Sequence, residues 1–221
     1  MEKYIIDIGK LLIKKKKIRK NLSKYKMILF DLDNTIFPLY YYDKIIFKKM
    51  SENLSKKTNI KSEKLFDYLI YNKFKKKNNK RLFYFFLKEF NLNKVVSEKQ
   101  LVNFYQNFQF IKNFKPPSLI DIVKDLKKNR KKLILITEGN KRRQRNKIKS
   151  LGIENIFDYK IILDGKYNRK YKPSMKGVAK YIKLFHMYKP IYLGDSENDK
   201  KLSDKLNIKF YKFDISKFLK I

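Results

Sequence analysis

The chain has no cysteine, which excludes disulfide bonds, thiolate nucleophiles and cysteine-based zinc sites together. It also lacks any apolar run near the roughly 18 to 20 residues that a membrane-spanning helix needs. Tyr4-Ile5-Ile6 and Leu11-Leu12-Ile13 are apolar, but Asp7 and Lys10 interrupt them before a signal-peptide core forms. The same stretch is Lys-rich without the Ser and Arg of a transit segment, so the expectation is a soluble, cytoplasmic protein with no membrane partner. Glycine (6) and proline (5) are scarce, while 43% of residues are hydrophobic and 15% aromatic, which excludes disordered and fibrous chains. At 221 residues there is material for one or two domains with a substantial core.

Acidic residues are also few. Against 56 Lys and Arg stand 21 Asp and Glu, a net charge of +35. A surplus of this size suits a polyanion such as nucleic acid or an anionic surface. The lysines are spread along the chain, however, at Lys14 to Lys17, Lys75 to Lys77, Lys131-Lys132 and Lys200-Lys201, rather than gathered on one element with interleaved aromatics. Together with abundant Asn, Ile, Tyr and Phe, this favours compositional bias. Nucleic acid is the second choice of partner. Either way, the field attracts anionic substrates and makes binding salt-sensitive.

Residues 1–26 read as a basic extension of helical character. Met27-Ile28-Leu29-Phe30 is a short apolar run that stops abruptly at Asp31-Leu32-Asp33, the pattern of a buried parallel strand with acids at its carboxyl end. From Pro38 to Lys115 the spacing turns helical, as in Leu65, Phe66, Leu69 and Ile70, and Ser97-Glu98-Lys99-Gln100 has the form of a capping box. The many Phe and Tyr there are expected to form a small core. Pro116-Pro117 ends this region. Ser118, with Asp121, is expected to cap a helix whose Leu119, Ile122, Val123 and Leu126 share one face. Strands are predicted at Leu133 to Ile136, Ile161 to Leu163, Ile191 to Leu193 and, as an edge, Ile208 to Phe213. Helices are predicted over Lys141 to Ser150, closed by Gly152, and directly after Pro173. Strand–helix alternation implies a parallel α/β sheet.

In such sheets ligands bind beyond the carboxyl ends of the strands. Asp31 and Asp33 are two apart, so an extended backbone projects both to one side. Neighbouring carboxylates repel unless a cation lies between them or one takes a proton. A hard divalent ion such as Mg²⁺, which prefers oxygen ligands, resolves the conflict, and Asp195 can supply a third acid. Asp199, one helical turn on, is placed to support. Gly194 clears room for the backbone. Thr137 offers a hydroxyl and the N–H groups of a helix start, and Lys172 before Pro173 offers a cation for a phosphoryl oxygen. Acids, hydroxyl and lysine together describe phosphoryl transfer.

Four segments resemble the motifs of the haloacid dehalogenase (HAD) superfamily, in its order: Phe30-Asp31-Leu32-Asp33-Asn34-Thr35, Ile136-Thr137-Glu138-Gly139-Asn140, Lys172-Pro173-Ser174 and Gly194-Asp195-Ser196-Glu197-Asn198-Asp199. The resemblance implies a Rossmann-like α/β core over residues 27–37 and 116–221, with a helical C1 cap of subfamily I over 38–115. It implies that Asp31 is the nucleophile, forming an aspartyl phosphate, and that Asp33 protonates the leaving alcohol and then activates water. Mg²⁺ is implied to bind Asp31, the Asp33 carbonyl and Asp195, and phosphate to bind Thr137, the N–H of Glu138 and Lys172. An acid at Asp33 resembles phosphatases and mutases, not dehalogenases.

Many members carry Asn where this chain has Glu138. A carboxylate aimed at a phosphate is repelled, so only the backbone of Glu138 is expected to face inward, its side chain turned to Lys141 or solvent. His186, between Phe185 and Met187, is expected to be packed or half-buried rather than a base. Lys141, Arg142 and Arg143 suit steering of anions or plain solvation equally, and Asp164 reads as a loop acid. The favoured function is a Mg-dependent phosphatase acting on a small phosphorylated metabolite. Phosphatase action on nucleic-acid ends, or nucleic-acid binding without turnover, is the alternative.

Overall fold

A computed structural model describes residues 8–76, 81–109, 116–165 and 171–218. Along the chain come helix α1 (Ile8–Leu22), strand β1 (Met27–Phe30) and helices α2 (Leu39–Ser55), α3 (Ser62–Ile70), α4 (Leu82–Glu89), α5 (Glu98–Asn107) and α6 (Ile120–Lys128). Strand β2 (Lys132–Glu138), helix α7 (Lys141–Ser150), strand β3 (Tyr159–Leu163), helix α8 (Ile182–Tyr188), strand β4 (Ile191–Gly194), helix α9 (Glu197–Lys205) and strand β5 (Lys209–Lys212) follow. The chain divides into two compact units, Met1–Leu39 with Phe110–Ile221, and Tyr40–Gln109.

The first unit is the α/β, Rossmann-like core. Its five strands are all parallel, in the order β3-β2-β1-β4-β5. Strand β1 is therefore central, which is why every residue of Met27–Phe30 is apolar and buried. The chain winds to one side through β2 and β3, then crosses to the other through β4 and β5. The order reverses between β1 and β4, so a crevice is expected at their carboxyl ends. Met27, Leu29, Ile134, Ile136, Phe185 and Leu202 belong to one buried cluster against the sheet. Burying such side chains stabilises by about 1.5–3 kcal/mol each.

Helix α1 lies within this unit. Leu11, Ile18 and Leu22 are buried, and Lys15 and Arg19 reach Asp121 and Asp125 of α6 at 2.8 and 2.6 Å. Helix α6 buries Leu119, Ile122, Val123 and Leu126 as their spacing predicts, but its cap is not Ser118. The N-cap is Leu119, whose N–H donates to Ile36 O at 2.8 Å, so a backbone tie to the β1 loop sets the start. Helix α7 runs from Lys141 to Ser150, capped by the Asn140 side chain on the Arg143 N–H. Gly152 follows at φ +63°, a left-handed geometry suited to glycine. After Pro173 the helix expected at once is delayed. Two 3₁₀ turns, Met175–Gly177 and Ala179–Tyr181, precede α8, and the Ser174 side chain caps the first of them by accepting the Lys176 N–H.

The second unit is helical. Phe47, Met50, Leu65, Leu69, Phe86 and Leu101 form its core. Tyr105 stacks on Phe47 at 5.7 Å between ring centroids and donates its hydroxyl to buried Asp43 at 2.9 Å. Helix α5 opens with a capping box between Ser97 and Gln100.

Candidate active site

The Asp31 N–H donates to Leu193 O at 2.9 Å, so pairing between β1 and β4 continues to the first acid. Asp195 follows Gly194, the last residue of β4, and Asp199 lies in the first turn of α9. Asp31, Asp195 and Asp199 each present a carboxylate oxygen within 4.8 Å of the others. Lys172, buried, donates to Asp31 Oδ1 at 2.5 Å and to Asp199 Oδ1 at 2.6 Å. Gly194 makes this convergence possible, since a Cβ there would come within 2.7 Å of the Asp199 side chain.

The charges do not balance. Fully ionised, three carboxylates face one ammonium, an excess of two negative charges. Burial pushes Asp31 well above the ordinary carboxylate range, with Asp199, Asp195 and Asp33 adding to it and Lys172 opposing. Burial, then Asp199 and Asp214, push Asp195 up to about 7. Burial works against a charge on Lys172, yet Asp31, Tyr192 and Asp199 more than offset it and hold the proton well above the usual range. Burial raises Asp199 too, but Lys172, Ser196 and Tyr192 outweigh it, so its carboxyl lies low.

Asp199 is also saturated. Its Oδ1 accepts from Lys172 and, at 2.7 Å, from the Tyr192 hydroxyl; its Oδ2 accepts from the Ser196 N–H at 3.1 Å and hydroxyl at 2.6 Å. Among the described residues, the side chain of Asp195 has only a long contact from Thr35, at 3.5 Å. An all-oxygen set of three carboxylates against one ammonium, two of them pushed toward protonation in the absence of a cation, fits a hard divalent ion.

Asp33 takes another direction. Its carboxylate lies outside that acidic group and meets Lys147 of α7, whose ammonium is 2.8 Å from Oδ1 and 2.7 Å from Oδ2. Gln144 Nε2 donates to Oδ2 at 3.1 Å and to Glu138 O at 2.5 Å. Burial raises the Asp33 carboxyl, but Lys147 and then Arg143 more than offset it, so it lies below its ordinary value.

Strand β2 runs past the predicted Ile136 to include Thr137 and Glu138, and Thr137 is buried. The Glu138 side chain corrects the expectation: it turns neither to Lys141 nor to solvent. Its Oε2 accepts the Lys172 N–H at 3.0 Å, tying the lysine's backbone to β2. The carboxylate is thus occupied by a donor from the Lys172 segment. Lys141 and Arg142 are exposed and Arg143 half-buried. His186 is exposed on α8, not packed or half-buried, and lines a hollow with Tyr25 and Lys209 at the opposite end of the strands. Asp164, after β3, accepts from the Lys141 N–H at 3.4 Å.

Sequence reasoning missed Lys147, Gln144 and Tyr192. A signal for the first two existed. Gln144, Lys147, Ile148 and Leu151 recur at helical spacing and are all buried, so Lys147 sits on the inward stripe, where a lysine requires an acidic partner.

The family model for haloacid dehalogenase-like hydrolases matches residues 28–213. The chain belongs to that family. This HAD hydrolase has no match among curated proteins. Among solved structures it is similar to YfnB of Bacillus subtilis, named a HAD-hydrolase and bound to magnesium, with TM-score 0.56, 17% identity and coverage of 84% of this chain and 85% of that one. It is also similar to a hydrolase from Streptococcus pneumoniae TIGR4, with TM-score 0.51, 12% identity and coverage of 86% and 93%. At these identities the likeness is one of fold. No helix among the described residues is long and apolar enough to cross a membrane.

Proposed function

We propose that this HAD hydrolase is a Mg²⁺-dependent phosphatase acting on a small phosphorylated metabolite through an aspartyl phosphate on Asp31. The observation that carries the reading is the convergence of three carboxylates, Asp31, Asp195 and Asp199, on a single ammonium, Lys172. Asp31, Asp195 and the Asp33 carbonyl would hold the ion, because the Asp199 oxygens are already used. When bound, Mg²⁺ neutralises the carboxylates and the phosphoryl charge.

Asp31 supplies the nucleophilic oxygen. Its bond to phosphorus forms as the bond from phosphorus to the ester oxygen breaks, and the leaving oxygen takes a proton from Asp33. Asp33, now a carboxylate, takes a proton from water as that water's oxygen attacks phosphorus and frees Asp31. Without substrate, Lys147 keeps Asp33 ionised, the form the second step needs; the phosphoryl charge favours the protonated form the first step needs. Lys172, the Thr137 hydroxyl and the Glu138 N–H bind the phosphoryl oxygens. Glu138 serves twice, through its N–H and through the carboxylate that fixes Lys172. Residues 38–115, inserted between β1 and α6, act as the cap that selects the substrate.

The test is phosphate release from a panel of phosphorylated metabolites with Mg²⁺. Turnover that stops with chelator, and an acyl phosphate trapped on Asp31, are the expected results. Full activity in excess chelator, or turnover by Asp31→Asn, would contradict the reading.

A further inference from the structure

Lys147 is completely buried, yet a buried ammonium gains little stability over an apolar side chain of similar size. What it does is hold a carboxylate. It contacts both oxygens of Asp33, whose side chain is 22% exposed and so faces the accessible side of the site. Gln144, three residues earlier on the same face of α7, adds a donor to Oδ2 alone, and its amide is fixed by Glu138 O. The two oxygens are therefore inequivalent, with two donors on Oδ2 and one on Oδ1. A carboxyl group turns readily about its last torsion, and this arrangement removes that freedom.

We propose that Lys147 and Gln144 are positioning residues that anchor Asp33 through Oδ2, leaving Oδ1 as the oxygen that exchanges a proton with the leaving group. This rests on the phosphatase reading above. The anchor comes from the same β2–α7 segment as the phosphate-binding Thr137 and Glu138, so the acid and the phosphate pocket keep one register. Misplacement by about 1 Å is enough to cost a rate on the order of 10²-fold.

The test compares Lys147→Met with wild type on an alkyl phosphate, whose leaving group needs a proton, and on p-nitrophenyl phosphate, which needs one far less. The expected result is a fall in kcat of about 10²-fold on the alkyl ester and roughly 10-fold on the aryl ester, with KM within about twofold. Adding Lys147→Met to Asp33→Asn should cost less than about threefold more, since the lysine acts through that carboxylate. Equal losses on both esters, or losses that multiply in the double variant, would overturn the proposal. Where Lys147→Met does not fold, Gln144→Ala carries the same test, with a loss of about 10-fold expected on the alkyl ester. If the wild type releases no phosphate from any monoester, the reaction reading fails. The anchor is then judged by a crystal structure of Lys147→Met or Gln144→Ala: a turned Asp33 carboxylate supports it and an unmoved one overturns it.

Discussion

The two ends of the sheet use charge in opposite ways. At the carboxyl ends, Asp31, Asp195 and Asp199 are crowded around Lys172 with negative charge to spare. At the amino ends, Asp158 makes a local staple. Its Oδ2 accepts the Leu133 N–H at 2.8 Å and its Oδ1 accepts Lys127 at 2.6 Å, joining α6, β2 and the start of β3. The first arrangement stores unfavourable electrostatics that a ligand can relieve; the second is satisfied as it stands. A hollow at the amino ends, lined by Tyr25, Phe185 and His186, is concave but has none of that stored charge. Concavity alone therefore does not mark the reactive end. A cluster of acids that outnumbers its cations is the stronger sign.

This contrast can be broken by substitution. The largest effect is expected for Asp31→Asn, which removes the proposed nucleophile and should lower kcat by at least about 10³-fold in a phosphate-release assay. Asp33→Asn should lower kcat by about 10²–10⁴-fold while substrate binding persists, measured as KM against kcat. Stability should move the other way at the carboxyl ends. Asp195→Asn relieves repulsion and should raise the metal-free unfolding midpoint by about 2–4 °C while abolishing stabilisation by Mg²⁺.

Asp158→Ala should do the reverse, lowering stability by roughly 1 kcal/mol with kcat unchanged, as read by denaturant unfolding and turnover. Burial raises the Asp158 carboxyl, but Lys127 and the Leu133 N–H more than offset this, leaving it below its ordinary value of 3.8. Its contribution is therefore present above about pH 4 and fades as pH falls through the folded-state value, so wild type and variant should converge in acid. Smallest of all, His186→Ala should leave kcat within about twofold of wild type.

Much of this was legible in the sequence because it depends on local pattern. Met27 to Phe30 is a short apolar run with the pattern of a buried strand, and the acids that follow it mark where a site would lie. Helix α7 is bounded by Asn140 and Gly152, whose capping chemistry is local. Tertiary contacts were not legible. The destination of the Glu138 carboxylate depends on a backbone N–H 34 residues away, and the Lys147–Asp33 pair spans 114 residues. In a chain with 56 basic residues, one more lysine in a basic helix gave no warning beyond its phase on the buried stripe. Ser118 looked like a cap, and lost that place to a backbone bond between Leu119 and Ile36.

The most direct measurement is calorimetric titration of metal-free protein with Mg²⁺, for wild type and Asp195→Asn. One ion bound per wild-type chain, with binding lost in the variant, is the predicted result. Unaltered binding in Asp195→Asn, or none in wild type, would mean that the surplus charge beside Lys172 is not there to receive a cation.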